Sequence, residues 1–240
     1  MSIKVVTFDF WGTLYHNKLS LKHERKDRIQ QMFSRSGIVG ITDEMIYKAM
    51  EKTWVLWDDI WRTEHRTLPV REFMDLVFGE LQVRLDSDAM DELCEVLQQA
   101  IFTGNTLPVE HVVDAVAALS RSRCLGVISD TGVSSGRYLR QLLDRDHPSR
   151  FSFGLYSDEL GMSKPEPEIF QKVLDINGCL PEEVVHIGDL RYTDVLGAHQ
   201  AGMHTIRYAG IRDDRTEGFP EADWVITDYR ELVGIIEGIA

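Results

Sequence analysis

The sequence is short of cysteine, of positive charge and of long apolar runs, and each shortage removes a class of protein. Its three cysteines, Cys94, Cys124 and Cys179, follow no metal-ligand spacing, and three cannot build a full disulfide framework. They are expected to be reduced, mostly buried thiols. Lysine and arginine number 26 against 39 aspartates and glutamates, a net charge of -13. That balance argues against a general nucleic-acid binder or a binder of acidic membranes. It leaves room for an anionic small molecule, because a metal and one lysine can dominate a pocket locally. No apolar run reaches membrane-spanning length, and the N-terminus lacks a basic region followed by a long apolar stretch and a cleavage site. A cytoplasmic protein with no membrane partner and no nucleic-acid partner is expected.

What is present fits a folded enzyme-sized chain. At 240 residues, 43% hydrophobic and 27% charged, it can form one large domain or a core with an inserted module. An apolar run, 3–8, ends in Asp9 and turns at Gly12 within Asp9-Phe10-Trp11-Gly12-Thr13-Leu14. This reads as a buried parallel strand that ends in a carboxylate. In open α/β sheets that strand end is where ligands sit.

From residue 15 to 104 strand-like runs nearly vanish and helical periodicity takes over. Helices are expected over 22–36, 42–64, 70–81 and 88–102, with Thr42-Asp43-Glu44 as a start signal and Pro69 as a break. Alternation resumes after Pro108. Helices are expected over 109–119, 134–143, 167–174 and 194–201, and strands over 123–129, 151–156, 184–187, 205–208 and 224–226. Strands alternating with helices predict an α/β fold, a parallel sheet covered on both faces. No internal repeat or low-complexity tract interrupts it. The run Arg212-Asp213-Asp214-Arg215 is read as a solvated loop.

The residues that carry chemistry follow candidate strands or lie in the loops between them. They are Asp9, Ser129, Lys164, and Asp189 with Asp194 five residues later. Their loops are expected to meet at one edge of the sheet. Three carboxylates there suggest an oxygen-ligand site for Mg2+. The set meets the needs of phosphoryl transfer. Asp9 can act as a nucleophile without a raised pKa while its other oxygen holds the ion. Asp189 and Asp194 can complete or orient the ion's ligand shell. Ser129 offers a hydroxyl to a phosphoryl oxygen, and Lys164 offsets repulsion between two anions. Backbone N–H groups around Phe10 and Trp11, and of Asp130 and Thr131 after Ser129, can cradle the phosphoryl oxygens.

This ordered set resembles the haloacid dehalogenase-like hydrolase superfamily, in its capped subfamily I, over nearly the whole chain. The first motif matches at Asp9, Gly12, Thr13 and Leu14, the second at Ser129, the third at Lys164-Pro165, and the fourth at Gly188-Asp189 with Asp194. The resemblance implies a Rossmann-like core, 1–14 and 105–240, and a mobile helical cap, 15–104, inserted between the first two motifs. It also implies an aspartyl intermediate on Asp9, a metal contact from the Trp11 backbone carbonyl, and a small anionic metabolite as substrate.

The chain departs from that pattern at Trp11, where family phosphatases carry a second aspartate that protonates the leaving oxygen and activates water. An indole cannot move that proton, and losing a general acid/base costs roughly 10²–10⁴-fold. The metal-independent 2-haloacid dehalogenase branch also has an aromatic residue there, but it departs from the acidic fourth motif and has Asn where this chain has Asp130. A phosphonate-cleaving branch keeps Mg2+ without the second aspartate and relies on a cap lysine; Lys22, Lys26, Lys48 and Lys52 are the nearest here, and none stands out. The leading expectation is a Mg2+-dependent phosphate-ester hydrolase. A dehalogenase, or a weakly active or inactive phosphometabolite-binding protein, are the alternatives, and a homodimer is left open. Trp54, Trp57 and Trp61 recur on one helix face. They are expected to pack the small cap core; the alternative places one or two of them over the cleft beside Trp11 as an apolar wall. His65 and Arg66 are weaker candidates for an anion contact. His186 is expected to be a core histidine. A good leaving group, water, the substrate or Asp130 are the candidates to replace the missing acid, though Asp130 is expected rather to satisfy nearby backbone N–H groups.

Overall fold

In the computed structural model, which describes residues 2–239, eight strands and ten α-helices are arranged as a parallel sheet with helices on both faces and a helical insertion. The strands are β1 (Val5–Phe8), β2 (Tyr15–Asn17), β3 (Thr106–Pro108), β4 (Cys124–Ser129), β5 (Phe153–Tyr156), β6 (Val184–Gly188), β7 (His204–Tyr208) and β8 (Trp224–Ile226). The insertion holds α1 (Lys22–Arg35), α2 (Asp43–Glu64), α3 (Val70–Leu81) and α4 (Ser87–Gln98). The helices α5 (Val112–Leu119), α6 (Gly136–Asp146), α7 (Ser157–Leu160), α8 (Pro167–Asn177), α9 (Leu196–Gln200) and α10 (Leu232–Gly238) follow.

The main sheet runs β5-β4-β1-β6-β7-β8, and every neighbouring pair is parallel. Alternate side chains of a strand point to opposite faces, and here both faces are covered. Val6, Phe8, Val127, Val185 and Ile187 pack with α5, α6 and α10. Val5, Ile128 and Val184 pack on the other side with Ile169, Phe170 and Val173 of α8. This explains why β1 and β6 read as unbroken apolar runs. The register sets Phe8 opposite Val127 on one side and Ile187 on the other. Asp9, Ser129 and Asp189 therefore emerge from three adjacent strands at the same edge.

The cap region has its own apolar cluster, built from α1 to α4 around Phe33, Met50, Phe73, Phe78 and Leu93. Its start signals act as read: the Thr42 side chain accepts from the Met45 N–H at 3.3 Å, and Pro69 stands immediately before α3. Two expectations need correction. The helix over 88–102 ends at Gln98 and tightens into a 3-10 turn, Gln99–Phe102, because Ala100 and Ile101 are drawn into the main core cluster. The helix over 109–119 begins only at Val112, since the Val109 N–H is held by the Leu14 carbonyl at 2.9 Å. One element had no local signal. β2 and β3 form a two-stranded antiparallel ribbon that joins the two ends of the insertion. Tyr15, at its base, stacks on Phe10 with ring centroids 4.7 Å apart and donates to the Leu142 carbonyl and Asp146.

Leu93 is fully buried at the centre of the cap cluster. Leu93→Ala is expected to destabilise the protein by about 2–5 kcal/mol through the cavity it leaves. Urea unfolding of both proteins, with the m-value compared, checks this; a loss under 1 kcal/mol would show that the cap collapses around the gap.

Candidate active site

Lys164 occupies the centre of the edge where the strands end. Its ammonium is buried and donates to Asp9 Oδ1 at 2.6 Å, Asp194 Oδ1 at 2.6 Å and the Ile128 carbonyl at 3.2 Å. All three ammonium donors are thereby used. Asp9, Asp189 and Asp194 are buried, and one oxygen of each lies within 4.8 Å of the others. Two glycines allow this crowding. A side chain at Gly12, whose φ is +77°, would meet Asp189 at 2.5 Å, and one at Gly188 would meet Asp194 at 2.1 Å.

The charges respond to burial and to one another. Desolvation pushes the Asp9 carboxyl well above the usual carboxylate range, and the Lys164 ammonium offsets only part of that. Burial, with Asp194 beside it, pushes Asp189 up to about 6. Burial acts the same way on Asp194, but there the Lys164 ammonium and the His186 hydrogen bond prevail and hold it below the usual range. For Lys164 burial favours loss of the proton, and Asp194, Asp9 and Asp130 outweigh it, so the ammonium persists.

His186 is buried, as expected for a core histidine, yet it also touches the site. Its Nε2 lies 3.2 Å from Asp194 Oδ1, and its Nδ1 lies 2.9 Å from Thr7 Oγ1. An ionised carboxylate only accepts, so Nε2 carries the proton; burial disfavours a second one. The remaining Asp194 oxygen accepts from the Leu190 N–H at 3.0 Å. Leu190 precedes a wide helical turn, Arg191–Val195, that delivers Asp194 back to the strand end before α9 begins.

Six of the nine sequence-predicted site residues line one cavity of about 170 Å³: Asp9, Trp11, Asp130, Lys164, Asp189 and Asp194. Phe10, Ser129 and Thr131 lie outside its lining. The Phe10 ring is packed in the core beside Tyr15. Ser129 is buried, its hydroxyl 3.5 Å from the Asp130 carbonyl. The Thr131 N–H donates to Ser157 Oγ at 2.8 Å, so it is committed within the fold. The N–H groups of Gly12, Leu14 and Tyr15 bond within the first turn, the Asp9 N–H bonds the Ile187 carbonyl on the neighbouring strand, and those of Phe10 and Trp11 fall outside that set. Asp130 has both oxygens occupied: Oδ1 accepts from the Lys164 backbone N–H and Oδ2 from Trp61 Nε1, each at 2.9 Å.

The roof of the cavity comes from the cap. Trp57 and Trp61 stack with centroids 5.6 Å apart and line the cavity together with Trp11. Trp54 turns away, against Phe73 in the cap cluster. His65 and Arg66 do not reach the cavity. His65 bonds Glu166 and the Tyr192 hydroxyl, and Arg66 pairs with Glu64 and Glu72. Three cavity residues were missed, Leu190, Thr193 and Arg212, and one of them is charged. Arg212, read as part of a solvated loop, lines the cavity and donates to Asp189 Oδ2 at 2.7 Å. Its charged neighbours give the composition of any exposed turn, so no local signal marked it.

Residues 3–202 match the family model for haloacid dehalogenase-like hydrolases. The chain belongs to this family. It is 26% identical to a glyceraldehyde 3-phosphate phosphatase of Methanopyrus kandleri over 99% of both chains. It is 25% identical to a phosphoserine phosphatase of Thermus thermophilus, over 86% of this chain and 82% of that one. Its fold is also that of a 2-haloacid dehalogenase from Pseudomonas syringae (TM-score 0.73, 23% identity, 99% of this chain and 100% of the other). A HAD phosphatase from Thermococcus onnurineus shares it too (TM-score 0.70, 21% identity, 98% and 99%). This haloacid dehalogenase-like hydrolase thus has a capped, parallel-sheet architecture with a carboxylate-rich strand edge. Among the described residues no helix is long and apolar enough to cross a membrane.

Removing the central cation should expose the cost of this cluster. Lys164→Met is expected to lose about 3–5 kcal/mol, because it leaves buried carboxylates without their partner. Equilibrium unfolding in EDTA at neutral pH measures it, and near-native stability would refute the central place given to the ammonium.

Proposed function

We propose that this hydrolase is a Mg2+-dependent phosphatase that cleaves a small phosphate ester through an aspartyl-phosphate on Asp9, with residues 15–104 acting as the cap. The observation that carries the reading is the buried trio Asp9, Asp189 and Asp194 beside Lys164. The donor set suits a hard divalent cation, since all three offer carboxylate oxygens. The charges also suit one: four carboxylates and two cations line the cavity, a deficit of two positive charges. Asp9, Asp189 and Asp194 would hold the ion, with the Trp11 carbonyl as a further ligand. When bound it would neutralise the phosphoryl oxygens and keep Asp9 ionised.

The chain's own groups then account for the remaining steps. Lys164, fixed between Asp9 and Asp194, orients the Asp9 carboxylate and reduces its repulsion toward the incoming phosphoryl group. An Asp9 oxygen attacks phosphorus, the bond to the ester oxygen breaks, and an acyl phosphate forms. Water then attacks phosphorus, releasing phosphate and the Asp9 carboxylate. The Phe10 and Trp11 N–H groups are the candidates to hold the phosphoryl oxygens; the committed Thr131 N–H is not.

The ester oxygen leaves with little help. Trp11 offers no transferable proton, and Asp130 is engaged by Trp61 and the Lys164 backbone. The leaving group must be good or must draw its proton from water or from the substrate itself. The small aromatic-walled cavity supports a compact substrate; at ~30 Å³ per water it holds on the order of six waters.

A second reading has one specific support. Trp11, Trp57, Trp61 and Arg212 around a small cavity also suit a 2-haloacid, whose halide needs no proton to leave. The retained acidic trio favours the phosphatase.

Phosphate and halide release, assayed from panels of phosphate esters and 2-haloacids with Mg2+ or EDTA, decides between them. Phosphate release is expected with Mg2+, abolished by EDTA, and reduced by about 10³-fold or more in Asp9→Asn. Halide release that survives EDTA would instead establish the dehalogenase. Trp11→Asp is expected to raise turnover of alkyl phosphates by about 10²-fold and of aryl phosphates far less. No gain in a folded variant would count against the missing-acid account.

A further inference from the structure

Arg212 sits on the loop between β7 and β8, and that loop is held in place rather than free. Arg191 donates to the carbonyls of Thr216, Phe219 and Pro220 at 3.1, 2.6 and 3.1 Å, and its backbone N–H to Asp214 at 2.7 Å. The buried Arg207 pairs with Glu221 and Asp213. Fixed by these contacts, the loop extends Arg212 across the strand edge to Asp189. The pair is lopsided: the Asp189 side chain is 4% exposed and that of Arg212 59%.

Arg212 also stands between two spaces. With Trp11 and Asp189 it belongs both to the 170 Å³ inner cavity and to a wider outer pocket of about 370 Å³ that includes His16, Asn17 and Ile211. Trp11, Asp189 and Arg212, which line both spaces, form the partition. Lys164, the other cation of the inner cavity, has its donors filled by Asp9, Asp194 and the Ile128 carbonyl. A guanidinium has five N–H donors, and among the described residues Arg212 directs one contact, at Asp189. It therefore has donors left for an anion. A divalent cation on Asp189 would compete for the oxygen that Arg212 holds and would itself neutralise the buried carboxylate, while the largely exposed guanidinium returns to solvent.

We propose that Arg212 is a substrate-binding residue held in reserve: it neutralises Asp189 in the cation-free site, gives way to a divalent cation there, and then binds the anionic group of the ligand at the partition. This rests on the metal-dependent reading above. It predicts opposite effects on two ligands when the guanidinium is removed, which a merely structural role would not produce.

Isothermal titration calorimetry on the intact chain tests it, with MgCl2 alone and then with inorganic phosphate at saturating Mg2+. Arg212→Gln is expected to bind Mg2+ about fivefold more tightly, having lost the competing cation, and phosphate about fivefold more weakly. Arg212→Lys, which keeps the charge, is expected to shift less in both, and Asp189→Asn to lose Mg2+ binding. Circular dichroism confirms that each variant is folded. If Arg212→Gln weakens both ligands or changes neither, while the wild type binds Mg2+ and Asp189→Asn does not, the role of Arg212 is overturned and the metal site stands. If the wild type takes up no Mg2+, the metal reading fails and this proposal fails with it.

Discussion

The ammonium of Lys164 is the contact on which the site depends. Asp9 leaves the end of one strand, Asp194 comes from a turn beyond another, and neither is tolerable as a buried carboxylate without a partner. Lys164 bonds both at 2.6 Å and anchors to the end of β4 through the Ile128 carbonyl. It thereby ties three adjacent strand ends to the loop before α8. Its backbone N–H extends the same network to Asp130 and through it to the cap. Paired charges in a dry site are costly to assemble and costlier to break. That asymmetry makes the geometry of the strand edge stiff, as a reaction centre requires.

The cap meets the core through polar contacts around an aromatic roof. Trp61 bonds Asp130, Thr67 meets Ser157, and His65 joins Glu166 and Tyr192. Tyr192 lies on the same turn as Asp194, donates to the Arg62 carbonyl, and packs against Phe219 of the loop that carries Arg212. The end of α2, the turn that delivers Asp194 and the Arg212 loop therefore share one junction. Such contacts close a cavity between two largely separate apolar clusters, which meet where Val133 joins the cap cluster and Ala100 and Ile101 join the main one. A reaction that excludes water while admitting a substrate needs that combination.

Most of the fold was legible because its signals are local. The apolar strands, the four cap helices and the start at Thr42 follow from periodicity and capping chemistry that a short window contains. Three of the differences share one cause, while the short helices α7 and α10 were simply not expected. The turn at 99–102, the late start of α5 and the ribbon of β2 and β3 are set by partners far away in sequence. The Ala100 and Ile101 side chains are claimed by the main core, the Val109 N–H by Leu14, and Tyr15–Asn17 by residues beyond the cap. Propensity yields wherever such a distant contact is stronger.

The site divides the same way. The order of Asp9, Lys164, Asp189 and Asp194 along parallel strands determined that carboxylates and one cation would meet at a single edge, because strands of one sheet must end together. Trp11 on the turn after Asp9 was equally visible. Tertiary structure alone decided which groups face the cavity. Asp130 turned to Trp61 and the Lys164 backbone, the Thr131 N–H went to Ser157, His186 reached Asp194, and Arg212 crossed to Asp189. A buried polar atom must find a partner wherever the packed chain places one, and a sequence names the atom without naming the partner.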